Sequence, residues 1–199
     1  MNVDSLPAQG SADTDLSSEK SGIGVAATNM SKRVFNRFRE IVYEKAGISL
    51  SEKKHTLVCS RLRKRMRKLN MDDFDSYLER VESDESGTEI VELLDAISTN
   101  VTRFFRESEH FDFLSEAIDE WARQGQERFR FWSAACSTGE EPYCIAMTAS
   151  EALGGGKTDC KVLATDISTR ALKTALRAQY PPKKVKGVET DLLDSYFSK

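Results

Sequence analysis

The stretch that most constrains this chain runs from residue 128 to residue 166. There "RFRFWSA" reads as a strand, "ACSTGEEP" as a turn, "YCIAMTASEAL" as a helix, "GGGKT" as a loop and "CKVLATD" as a second strand. "STRALKTALRAQ" follows as another helix. Strand, helix, strand, helix begins a parallel α/β sheet, and such sheets bind ligands beyond the carboxyl ends of their strands. The chain stops soon after the second strand, too early for a complete doubly wound sheet.

The turn itself selects among ligands. Ala134, Ala135, Ser137 and Gly139 allow close approach of backbone to ligand, as a nucleotide-binding turn requires. Glu140 and Glu141 then fall in or just before the first helical turn, with Pro142 beside them, where they neutralise part of the helix's positive end. A pyrophosphate would meet carboxylates there, and no G-x-G-x-x-G fingerprint is present, so a dinucleotide is disfavoured. A ligand with a cationic centre and an ammonium group suits the acids better, and S-adenosylmethionine has both. Asp166 ends the next strand, about where such folds place an acid on ribose hydroxyls. The plainer alternatives stand beside this: first-turn acids complement any helix dipole, and an aspartate commonly ends a strand.

Upstream, "STNVTRFFRE" sets Asn100, Thr102 and Arg106 around Phe104 and Phe105, just before a helical pattern in "SEHFDFLSEAIDEWARQ". Asn and Thr can bond polar ligand groups, and Arg106 can hold a carboxylate by two prongs. Equally, the segment can be a capping loop with core phenylalanines and a surface arginine.

The first half has a different character. Residues 1–30 are rich in Ser, Ala, Gly and Asp without sustained apolar periodicity and read as a disordered leader. From Ser31, Val34, Phe35, Phe38, Ile41 and Val42 recur at helical spacing, with Gly47 as a C-terminal cap. A second helix is expected from near Ser51 to Asn70, a third capped by Asp72 or Asp73, and a fourth through "GTEIVELLDAIS". The expected organisation is a helical domain over 31–95 and the N-terminal part of an α/β domain over 96–199.

The second helix carries Arg61, Arg63, Lys64, Arg65, Arg67 and Lys68 on its polar faces. Solvated surface, a groove for nucleic acid and a dock for an acidic helical protein are its three readings. Charge reversal at Arg61 and Arg65, read as exposed, is expected to cost little stability. The formal net charge of -3 over 199 residues argues against a general nucleic-acid binder. Four cysteines show no C-x-x-C pair or zinc spacing, and no signal peptide or long apolar run occurs, so a reducing, cytoplasmic setting is expected. His55 and His110 read as structural or solvated.

Together, "AISTNVTRFFRE", "FWSAACSTGEEPYCIAM" and "VLATDIS", with the basic "SRLRKRMRKL", resemble the CheR chemotaxis methyltransferases, over about Phe35 to Phe197. The resemblance implies an all-α N-terminal domain followed by the start of an α/β Rossmann-like S-adenosylmethionine methyltransferase domain. It implies methylation of chemoreceptor glutamates with S-adenosyl-L-methionine, with no metal. Asn100, Thr102, Arg106, Glu141 and Asp166 would contact that cofactor, Asp166 at the ribose, Glu141 near the methionine end and Arg106 also in the reaction itself. Arg61, Arg65 and Arg67 would face the acidic receptor. "AQYPPKK" departs from the family's Gly-x-Tyr turn, and the chain looks like the front two-thirds of such an enzyme, with an open cleft. The rival class is a non-catalytic module that docks on receptors or nucleic acid.

Overall fold

A computed structural model describes residues 29–155 and 158–198. The expected leader therefore lies outside the described residues except for Asn29 and Met30. Met30 is buried in the helical core, and its carbonyl meets His55 Nε2 at 3.1 Å.

Four helices build the first unit: α1 (Lys32–Ala46), α2 (His55–Lys68), α3 (Phe74–Glu82) and α4 (Thr88–Ile97). Their ends follow local chemistry. Ser31 accepts the Val34 N–H at the start of α1, and Gly47, at φ 66°, closes it with a bond to the Tyr43 carbonyl. Asp73 caps α3 by accepting from Ser76 N at 2.7 Å. The second helix is shorter than its periodicity suggests. A single 3-10 turn, Glu52–Lys54, precedes it, and Asn70 turns the chain away at φ 54°, a conformation Asn tolerates.

One apolar cluster joins these helices, with Val34, Phe38, Leu62, Tyr77 and Leu93 fully buried. Each such side chain contributes roughly 1.5–3 kcal/mol through its removal from water. A polar knot lies inside. Arg65 grips Glu89 with two bonds, Nε to Oε1 at 2.9 Å and Nη2 to Oε2 at 2.7 Å, and reaches Glu92 at 3.1 Å. Tyr77 donates its hydroxyl to the same Glu89 at 2.9 Å.

The second unit begins with α5 (Glu109–Arg123), then β1 (Arg128–Ala134), α6 (Glu140–Ala152), β2 (Asp159–Thr165), α7 (Thr169–Arg177) and the short α8 (Pro182–Val185) and α9 (Thr190–Tyr196). The strands pair in parallel from Arg128 opposite Asp159 to Ala134 opposite Thr165. Strand alternation sorts the side chains. Phe129 packs with Ile118 of α5 and Ala149 of α6, while Trp132 and Leu163, in register on the opposite face, are 66% and 59% exposed.

The basic helix corrects one expectation. Arg61 is half-buried and donates to the carbonyls of Ile97 and Ser98 and, at 3.0 Å, to Thr99 Oγ1, so it caps the carboxyl end of α4. The Arg65 side chain is only 16% exposed. Reversing either charge would place a carboxylate against acceptors, so it is not the cheap surface change expected. Arg67 is exposed.

Arg65→Met should destabilise the helical unit by about 3 kcal/mol, because it leaves Glu89 buried without its bidentate partner. Urea unfolding followed by far-ultraviolet circular dichroism measures this. Burial opposes ionisation of Glu89, yet the bonds from Arg65 and Tyr77 prevail and hold its carboxyl below the ordinary range. The contribution of that depressed pKa is thus complete above the unfolded value of about 4.3 and is lost as pH falls through the lower folded value. The acid limb of the stability curve should flatten in Arg65→Met.

Candidate functional site

The turn from β1 into α6 is tightly wound. Ala135, Ser137 and Gly139 all take positive φ, at 71°, 51° and 97°, and Cys136 N bonds the Thr165 carbonyl at 2.8 Å, extending the strand pairing by one step. Two of these three residues carry a Cβ and so hold a conformation that costs about 1–3 kcal/mol each. Gly139 could not. A Cβ there would stand 2.6 Å from the Tyr180 hydroxyl and 2.9 Å from the Ala175 Cβ. Its role is close packing of α6 on α7, not ligand approach.

The paired glutamates have separate duties. Glu140 is fully buried and accepts from Thr138 Oγ1 and from Lys184 Nζ, the latter at 2.7 Å. Lys184 also reaches the Thr102 carbonyl at 3.4 Å, and Tyr180 donates to the Thr138 carbonyl at 2.7 Å. The "YPPKK" stretch that departs from the family turn is therefore what anchors this turn from below. Glu141 is exposed, oriented by the Ser133 hydroxyl at 2.7 Å.

Asp166 joins the two strand ends. One carboxylate oxygen accepts from Ser137 N and the other from Ser168 N, both at 2.7 Å. Ser168 in turn caps α7 and receives the Asn100 side-chain amide at 3.1 Å. Arg106 is 57% exposed on its side chain and only loosely held, 3.4 Å from the Val101 carbonyl and 3.7 Å from Glu107.

A cavity of roughly 870 Å³ opens at the carboxyl ends of both strands, between them and the helical unit. Asn100, Thr102, Arg106, Glu141 and Asp166 all line it. So does Arg61, whereas Arg65 and Arg67 do not. The wall also contains Ser137, whose Oγ is buried without a hydrogen-bond partner. The volume falls within the 300–1,000 Å³ common for small-molecule sites. An exposed carboxylate, a doubly anchored carboxylate and a loosely held guanidinium form a donor set that fits an ammonium, a diol and a carboxylate respectively. S-adenosylmethionine carries all three.

The thiols are held toward their neutral form. Burial pushes the Cys144 thiol up to about 12, and Cys59, Cys136 and Cys160 are likewise raised chiefly by burial. Cys144 instead takes the Phe105 N–H at 3.1 Å. Among the described residues no cluster of His, Cys, Asp and Glu could hold a metal, and no helix is long and apolar enough to cross a membrane. His55 is half-buried against Met30, and His110 is exposed near Glu107.

An all-α unit followed by a parallel strand, turn, helix and strand, with its cleft at the strand ends, defines the start of a Rossmann-like methyltransferase domain behind a helical domain. Comparison with known families agrees: "CheR methyltransferase, all-alpha domain" matches residues 33–98, and "CheR methyltransferase, SAM binding domain" matches residues 100–199. The chain belongs to the CheR methyltransferase family. The chemotaxis protein methyltransferase of Salmonella typhimurium is 40% identical over 163 residues, 82% of this chain and 55% of that protein. That of Borreliella burgdorferi is 40% identical over 164 residues, 79% of this chain and 58% of that protein. Chemotaxis protein methyltransferase 2 of Pseudomonas aeruginosa is 39% identical over 166 residues, 82% and 57% respectively. This chain thus spans little more than half the length of these relatives.

The five residues expected at a cofactor all line the cavity, whereas Lys184, Tyr180 and Ser133, which hold the turn, do not stand out in the sequence. No sequence signal links Lys184 to Glu140, 44 positions away. Lys184→Met should cost about 3 kcal/mol by stranding the Glu140 carboxylate, and adding Glu140→Gln should recover most of the loss. A thermal-unfolding double-mutant cycle checks both halves.

Proposed function

We propose that this chain carries the S-adenosylmethionine site, and part of the receptor-facing surface, of a protein-glutamate O-methyltransferase acting on chemoreceptors. The convergence of Asn100, Thr102, Arg106, Glu141 and Asp166 on one cavity at the strand ends carries this reading. The family described as a SAM-binding domain and the chemotaxis methyltransferases among the relatives support it.

When bound, S-adenosylmethionine supplies an electrophilic methyl group on a sulfonium. Asp166, with one N–H on each oxygen, keeps acceptor capacity for the ribose hydroxyls. Glu141, oriented by Ser133, faces the cationic methionine end, and Arg106 pairs with its carboxylate. Asn100 and Thr102 add polar contacts from the segment that enters α5. A receptor glutamate has a reference pKa near 4.3 and is already ionised at neutral pH, so its attack needs no general base. The chain's task is alignment and exclusion of water, and Arg106, on the cavity wall, is the residue assigned to the reacting groups. No histidine or thiol is required.

The receptor would approach over α2. Arg67 presents its charge outward, while Arg61 and Arg65 set the shape of the helix from within. A cationic face of this kind steers acidic helical partners. The reducing, cytoplasmic setting expected for an unpaired set of cysteines suits such a partner.

Isothermal calorimetry with S-adenosylhomocysteine tests the cofactor assignment. The chain should bind, and Asp166→Ala should weaken binding roughly 10- to 100-fold, the loss of a charged hydrogen-bonding partner. Failure of the chain to bind, or wild-type affinity in Asp166→Ala, overturns the assignment. For the receptor surface, Arg67→Glu should weaken capture of a receptor cytoplasmic fragment while leaving the melting temperature within about 2 °C, as befits an exposed site. Loss of duplex DNA binding instead would favour the nucleic-acid reading.

A further inference from the structure

We propose that Asp95 and Ser168 are positioning residues, through which the helical unit sets the orientation of Asn100 and Asp166 in the cavity. The inference rests on the cofactor reading above and extends it to residues that touch no ligand.

Asp95 belongs to α4, in the helical unit, yet its partners lie in the other unit. Its side chain is 1% exposed. It accepts from Thr169 Oγ1 at 2.8 Å and from Arg170 N at 3.4 Å, and lies 3.6 Å from Arg170 Nε. Thr169 and Arg170 are the first two residues of α7, so Asp95 serves that helix as an acidic cap supplied from another element. Ser168, the residue before Thr169, caps the same helix.

Ser168 is fully buried, and its hydroxyl oxygen accepts two bonds. The oxygen accepts from Asn100 Nδ2 at 3.1 Å and from Ala171 N at 3.2 Å. Its N–H holds Asp166 Oδ1 at 2.7 Å. Asp166 Oδ2 then holds Ser137 N in the turn before α6. Asp95 fixes the first turn of α7 through Thr169 and Arg170, and the adjoining Ser168 bonds Asn100 on one branch and Asp166 with Ser137 on the other. Asn100 and Asp166 both line the cavity.

A carboxylate with 1% exposure has no water to substitute for lost partners. Its own element, α4, is fixed at the same carboxyl end by Arg61 on the Ile97 and Ser98 carbonyls, two residues before Asn100. The helical unit thus holds the segment that carries Asn100 by its backbone, and holds the Asn100 amide and the Asp166 carboxylate through Ser168. Removing Asp95 releases the first turn of α7, and with it the adjoining Ser168, so both cavity groups lose their common reference.

The test combines binding with a ligand-free measurement on the whole chain. In Asp95→Ala, affinity for S-adenosylhomocysteine should fall roughly tenfold, a coupling of the size that linked sites commonly show. Amide hydrogen exchange without ligand should quicken at Ser137 and Ser168, whose N–H groups bond Asp166. Asp95→Asn, which keeps the shape but removes one acceptor oxygen, should shift both readouts the same way and serves if the alanine variant does not fold. Tyr77→Phe, a control in the helical core, should lose stability and keep affinity. Wild-type affinity and wild-type protection at Ser168 in a folded Asp95 variant overturn the proposal, as does an equal loss of affinity in Tyr77→Phe. If the wild-type chain binds no S-adenosylhomocysteine, the cofactor reading fails on its own, and amide exchange alone decides the coupling: unchanged protection refutes it.

Discussion

The Asp166 carboxylate is the constraint on which the site depends. With one oxygen on Ser137 N and the other on Ser168 N, it binds the turn after the first strand to the turn after the second. Charge-assisted bonds to backbone N–H groups are about twice as strong as neutral ones, and they lock main chain, not just side chains. The positive φ angles at Ala135 and Ser137 are sustained because the strand pairing, extended by Cys136, and this carboxylate over-determine the turn. Without the clamp, the cavity would have no defined wall on the sheet side.

The other wall is built by a second set of buried charges. Arg61 caps α4, Arg65 joins α2 to α4 through Glu89, and Asp95 carries the connection into α7. The two arginines add charged ties to helices that already share the apolar cluster, and Asp95 reaches across to the other unit. A helix that looks like a basic docking surface in one dimension is, on its inner side, the frame of the cleft. Only the outward charges, Arg67 among them, remain to face a partner.

Much of this architecture was legible. Strand alternation in "RFRFWSA", the glycine after "EKA" and the aspartate before "FDSYL" announced elements that form as read, because each depends on neighbours within a few residues. The cavity residues were legible for a different reason, since residue chemistry at strand ends narrows the ligand before any contact is known. The reading failed where an isolated residue type has two meanings. Glu140 and Glu141 are adjacent and chemically alike, yet one is buried against Lys184 and the other is exposed. Arg61 and Arg65 look like Arg67, but their partners lie 24 to 38 positions away.

The sequence by itself determined the order of elements, the helical and α/β halves, the family and a set of polar residues that share one cavity. These follow from local periodicity, turn chemistry and charge type, which act over one or two turns of chain. Tertiary structure alone decided which of two neighbouring glutamates faces the cavity, which arginines are drawn inward and that Asp95 reaches into the other half. Those outcomes depend on which distant group desolvates or neutralises each charge. Coulomb attraction in a buried setting is strong enough to decide a side chain's role and carries no signature in the local sequence.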